Sequence, residues 1–351
     1  MDIPLAEGAI AALIGAGGGL LLGLAARLGR FCTLGAVEDF LYGNTDHRLR
    51  MWGVAIGTAM IAVFAMIAGG LVPAETTPYL ATGWNPVAHA LGGLMFGVGM
   101  ALAGNCGFGA LARLGGGDLR AFVIVLVMGI SAYVVMSGPL AGLRIWLLPP
   151  DLIQTGEPTG YAHLLSRSFG VPVAVPGILA GIAVLALSAG RKSFLAQPRM
   201  LGWGTVVGLA VAMGWAGSAW LYDDGFGGVA VQSYTFAAPL GDTILYAMTA
   251  SGTPLGFAVG AVAGVWTGAF IGSLCKGHFR WEACEDPREL KRQIFGAGLM
   301  GGGAVLAMGC SVGQGITAMS ILSYGAPLSL AGIFAGVALG LRAMIAGFDA
   351  A

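Results

Sequence analysis

Long apolar runs separated by short polar breaks dominate the pattern along this chain. A helix that crosses a bilayer needs about 20 mostly apolar residues. Nine runs meet that length, at about 6–27, 51–72, 87–112, 121–142, 171–190, 201–221, 253–275, 294–322 and 327–346. They predict an all-α integral membrane protein with about nine transmembrane helices. The third and eighth runs are long, and polar residues interrupt each of them among glycines, in "GNCGFG" at 104–109 and "GCSVGQG" at 309–315. The stretch 225–250 is semi-apolar and reads as a re-entrant or external segment. Residues 143–170, polar and proline-bearing, read as a long external loop. The first run has no basic residue before its apolar core, and its arginines follow it, the reverse of a cleaved signal peptide, so it is expected to remain as a span.

Composition supports the same class. Of 351 residues 57% are hydrophobic and 10% are charged, against about 25% charged in soluble proteins. So few charged groups cannot cover a water-exposed surface of this size. Net charge is zero and no basic tail or basic-aromatic patch appears, which argues against nucleic acid as a partner. Glycine, 62 residues, suits close helix packing and helix breaks in lipid. Loop charges set an orientation. With the N-terminus outside, all 17 Lys and Arg except Arg144 and Arg167 fall in inside loops or at their edges. That asymmetry predicts an N-terminus outside, on the periplasmic side, a cytoplasmic C-terminus and an odd number of spans.

An internal repeat lies beneath this pattern. Residues 92–109 and 296–313, aligned at a constant offset, match at seven of 18 positions, including Cys106 with Cys310. A weaker echo joins "GRFCTLGAVED" at 29–39 to "GHFRWEACED" at 277–286. The eighth span is the fifth step after the third, so the two copies run in opposite directions. This predicts two inverted halves in a single transporter domain, about 6–142 and 201–346, joined through 143–200, with broken helices meeting centrally.

Candidate chemistry is narrow. Charged residues inside the spans are almost absent, and His89 reads as a satisfied structural residue. The sequence carries no HExxH, Ser-His-Asp pattern or P-loop, and no paired carboxylates for glycosidase or aspartyl chemistry. "GAGGGLLLG" at 15–23 lies in an apolar run with no strand before it, which excludes a nucleotide fingerprint. Thiols and amides remain. Asn105 and Cys106 in the first break, and Cys310, Ser311 and Gln314 in the second, sit where glycines allow the helix to unwind. The flanking Gly107 and Gly309 bring backbone amides close. An unwound helix exposes N–H groups and a positive dipole end that bind an anion without lysine or arginine. A thiol adds a weak donor on soft, polarisable sulfur. The expected ligand is a small, soft sulfur anion. Cys32, beside Arg30 and near Arg27, reads as an exit-side contact with thiolate character. Cys275, His278 and Cys284 lack a fourth ligand and a standard zinc spacing, so that loop reads as a mixed-charge cytoplasmic connection or docking face. No metal or cofactor is expected.

Taken together, "RFCTLGAVED", "LAGNCGFGALARLGGGDLRA", "GHFRWE" and "MGCSVGQG" resemble the YeeE/YedE family of sulfur-transport membrane proteins, over residues 8–342. The resemblance implies an all-helical inner-membrane protein of pseudo-symmetric halves that imports thiosulfate. It also implies three cysteines along the path, at Cys32, Cys106 and Cys310, making S–H···S contacts, and a small soluble sulfur-carrier protein as partner. Two other functions fit the same residues. One is a membrane thiol protein relaying sulfane sulfur as a cysteine persulfide. The other is a ligand-sensing subunit without flux.

Overall fold

The computed structural model describes residues 3–149, 158–224, 230–284 and 286–349. Helices α1 (Ile3–Leu28) and α2 (Thr33–Leu41) form an interrupted rod, followed by α3 (His47–Ala68) and the short α4 (Pro78–Ala81). A second interrupted pair is α5 (Pro86–Ala103) and α6 (Gly107–Leu114), leading to α7 (Leu119–Met136). Short helices α8 (Ala141–Leu147), α9 (Tyr161–Phe169), α10 (Ala174–Ala189) and α11 (Lys192–Leu195) connect to the long α12 (Pro198–Asp224). Then come α13 (Ala238–Thr249), α14 (Phe257–Cys275), α15 (Pro287–Leu306), a π-helical segment (Gly313–Ala318) and α16 (Gly325–Asp349).

Seven helices among the described residues are long and apolar enough to cross a membrane, so the chain is a multi-pass membrane protein. Two of the nine expected spans, at 171–190 and 294–322, are not among these seven. The run at 171–190 forms α10, only 16 residues long, or about 24 Å at 1.5 Å per residue. The run at 294–322 is divided. Helix α15 opens on the charged "PRELKRQ", and the chain turns at Ala307 before its second apolar half begins. Part of the 143–170 reading and part of the 225–250 reading fall on 150–157 and 225–229, outside the described residues. Of the rest of the second stretch, residues 231–241 are mostly buried, while 245–250 are largely exposed. Val231, Tyr234 and Phe236 are extended in the core, and Tyr234 donates to the Ile14 and Gly15 carbonyls of α1, both at 3.1 Å.

Glycine sets the closest helix contact. Gly15, Gly19 and Gly23 on α1 meet Gly260, Gly264 and Gly268 on α14, and a Cβ on any of the six would overlap a carbonyl oxygen of the other helix. Four-residue spacing keeps one bare stripe per helix, so the backbones touch. The glycine run at 15–23 is therefore a packing surface. Helix α1 also packs on α12, and α3 on α12 and α10; α5 lies between α15 and α16, and α7 against α15 and α13. Large apolar side chains such as Leu13, Leu187 and Met248 point outward, as a lipid-solvated surface allows.

Candidate functional site

The site is built at helix starts. Where helices begin near the polar ends of the bundle, a side-chain oxygen caps them in the usual way. Asn85 accepts from the Ala88 amide at 3.0 Å, Asp118 from Arg120 at 3.0 Å, and Asp286 from Arg288 at 2.8 Å. Three interior starts use sulfur instead. Cys32 Sγ accepts from the Gly35 amide at 3.5 Å, Cys106 Sγ from Gly109 at 3.4 Å and Cys310 Sγ from Gly313 at 3.4 Å. Each follows a kink in which the left-handed region is used: Arg30 (φ 57°), Gly104 (φ 74°), and Met308 with Gly309 (φ 56° and 159°). A neutral sulfur cap leaves the positive helix end less compensated than a carboxylate would. Accepting the amide still leaves each S–H able to donate elsewhere.

The signal was present in the sequence, as Cys-x-x-Gly at 32–35, 106–109 and 310–313. At each glycine of the motif the space a side chain would fill faces a polar group. A Cβ at Gly35 would strike the Arg48 guanidinium, one at Gly109 would lie 3.2 Å from Asn105 Oδ1, and one at Gly313 would lie 2.5 Å from Thr235 Oγ1.

The three breaks converge. Cys106 lies within interaction range of the Ser311 hydroxyl, Cys310 and Cys32. Phe236 packs on Phe108, ring centroids 5.3 Å apart, and its amide donates to Cys310 Sγ at 3.2 Å. Phe31 stacks on Trp52 at 4.8 Å, and Trp52 reaches Gly315 beside Gln314. Cys106 and Cys310 are each 1% exposed, turned away from lipid. Asn105, Ser311 and Gln314, all singled out from sequence, are buried as well. Asn105 Nδ2, Ser311 Oγ and both amide atoms of Gln314 have no hydrogen-bond partner, and the same holds for Thr33 Oγ1 and Trp52 Nε1. Each unpaired buried polar atom costs about 1–3 kcal/mol. A cluster of them at one locus is what a site for water or a polar ligand requires.

Gly309 (φ 159°) stands at the turn against Gln314, where a Cβ would lie 3.2 Å from Gln314 Cγ, and a Cβ at Gly107 would press on Met128 Sδ at 2.7 Å. His89 is structural, paired with Ser329 Oγ at 2.9 Å. Sequence reading missed Trp52, Thr235 and Phe236, which come from distant segments and carry no local motif.

Cys32 and Asn105 also line a cavity of about 310 Å³ whose wall carries Arg27, Arg30, Arg48, Arg113 and Lys276. Lys276 donates to the Arg27 carbonyl at 2.6 Å, capping α1. Burial, then the charges of Arg199, Arg30 and Arg27, lower its pKa. Cys275 and Cys284 are exposed.

Comparison with known proteins gives the family. Residues 28–339 match the family described as sulphur transport. The chain is 27% identical to the thiosulfate transporter TsuA of Escherichia coli (strain K12), covering 91% of this chain and 90% of that protein. It is 24% identical to the thiosulfate transporter TsuA of Spirochaeta thermophila (strain ATCC 700085 / DSM 6578 / Z-1203), covering 87% of this chain and 90% of that one.

Proposed function

The chain belongs to the sulphur transport family, and on that premise we propose that it imports thiosulfate, or a closely related small inorganic sulfur anion, along a path lined by Cys32, Cys106 and Cys310. The observation that carries this reading is the convergence of three sulfur-capped helix starts on buried polar atoms that lack partners. The oxygens of the anion meet backbone amides at positive helix ends. Its terminal sulfur, soft and weakly hydrated, meets S–H donors. Asn105, Ser311 and Gln314 replace water as the ion is desolvated, with Gly107 and Gly309 admitting the backbone. None of these groups carries a full charge, so the ion is held weakly enough to leave.

Two inverted halves, about 6–142 and 201–346 with 143–200 between them, account for the packing. Exchanging α1 with α12, α3 with α14, α5 with α15 and α7 with α16 converts the α1–α14 contact into α12–α3, and α5–α16 into α15–α7. On this reading α10 and α15 are the remaining two of nine membrane helices. The α12–α13 connection is the fourth break, capped by Ala237 where the others have cysteine. The N-terminus faces the periplasm and the C-terminus the cytoplasm of the inner membrane, where a small soluble sulfur-carrier protein receives the product.

Purified protein in proteoliposomes takes up labelled thiosulfate above empty vesicles; no excess uptake rejects the proposal. Binding without flux would indicate a sensing subunit. Added sulfur on a cysteine, seen by mass spectrometry during turnover, would replace passage of the intact ion by a persulfide relay.

A further inference from the structure

The cation-lined cavity has a different chemistry from the thiol cluster. Five of the chain's 17 Lys and Arg stand around about 310 Å³, on the ends of α1, α3, α6 and α14 and the turn after α1. The carboxylates nearby are largely engaged. Asp39 binds Arg48 at 3.1 Å, and Asp118 and Glu282 bind Arg120 at 3.1 and 3.4 Å. Glu38 lies within range of Arg48 and Arg113 and offsets part of the charge. Arg27, Arg30 and Arg113 make no ion pair among the described residues. Two polar atoms point independently to a ligand. Asn105, 3% exposed and lining the cavity, has an Nδ2 without a partner, and the buried Arg27 Nε also has none.

We propose that this cavity is a second anion site that takes small doubly charged oxyanions by charge, without needing sulfane sulfur, and that internal sulfate or phosphate seated there restrains further import. Like charges gathered at a partly buried wall are stabilised by a counter-ion. Guanidinium groups suit tetrahedral oxyanions, to which they give paired N–H donors. The thiol cluster discriminates by softness, a property sulfate and phosphate lack, so the two sites select differently. Asn105 and Cys32, on the cavity wall, connect this site to the thiol cluster. The restraint on import rests on the transport reading above; the binding does not.

Two measurements separate these claims. In detergent, sulfate and phosphate raise the thermal midpoint of the full chain above chloride at matched ionic strength. Arg30→Gln and Arg113→Gln raise the sulfate concentration needed for half the effect about tenfold, the loss of one charge-assisted hydrogen bond, while Arg30→Lys retains it. Equal stabilisation in all variants, or none beyond chloride, overturns the site. In proteoliposomes, sulfate trapped inside slows labelled thiosulfate uptake by the wild type and not by Arg30→Gln. Uptake indifferent to internal sulfate overturns the restraint. If the wild type shows no uptake but arginine-dependent sulfate binding persists, the transport reading fails and the site stands.

Discussion

At the scale of single residues, the unusual choice is sulfur as a helix cap. Serine or aspartate would satisfy the same amide more strongly, and the chain uses aspartate or asparagine at α5, α7 and α15. Cysteine at the interior starts gives up cap strength and gains an uncharged, polarisable donor. Cys310→Ala and Cys106→Ala are expected to cut thiosulfate uptake at least tenfold. Because the cap bonds are long and weak, folding stability should fall by only about 1 kcal/mol. Cysteine-to-serine changes at the same positions preserve the cap and lose the soft donor, so uptake should stay low while the thermal midpoint is unchanged. Uptake measured beside the unfolding midpoint separates the two effects. Gln314→Leu, which removes two buried unpaired polar atoms, should leave the fold as stable or more so and still reduce uptake.

At the scale of elements, bare glycine stripes set how closely α1 and α14 approach. Carbonyl oxygens occupy the space in front of Gly19 and Gly264, and a backbone cannot yield as a flexible side chain can. Gly264→Val is expected to force the helices apart and cost about 1–3 kcal/mol, read as a lower thermal midpoint and poorer yield of monodisperse protein. Gly17, which faces open space on the same helix, should accept alanine with no such loss. Kinks serve the same arrangement from the other side. A single glycine, Gly104, ends α5, whereas the α15 kink uses Met308 and Gly309 together. The second break therefore carries more backbone strain than the first, and the π-helical turns that follow it place Gln314 beside Gly309.

At the scale of the whole molecule, charge separates the two ends of the bundle. Arg144 lies beside Asn85 and His89, while five other cations collect at the opposite ends of the spans around the cavity. With that end in the cytoplasm, exposed Cys275 and Cys284 should react with a membrane-impermeant maleimide in inside-out vesicles and not in intact spheroplasts. Cys106 and Cys310, at 1% exposure, should react slowly in both. Labelling of Cys275 from the outside would reverse the orientation. An imported anion also moves against a negative interior, at about 2.3 kcal/mol per charge per 100 mV, so the cavity's positive field acts where that opposition has been fully met.

Membrane class, most of the spans, the two glycine-rich breaks and the identity of the interior thiols were all legible in the amino-acid order, because each depends on local properties. Apolar run length decides insertion, glycine decides where a helix unwinds, and cysteine is scarce enough to stand out. The count of spans was only partly legible, since one apolar run folds into a 16-residue helix and another breaks after a charged start. Only the tertiary structure brought Trp52, Thr235 and Phe236 to the thiols and gathered arginines from separate helix ends around one cavity. Those contacts join residues tens to hundreds of positions apart, and what brings them together is the packing of bare helix stripes, a property of pairs of segments that no single stretch of sequence contains.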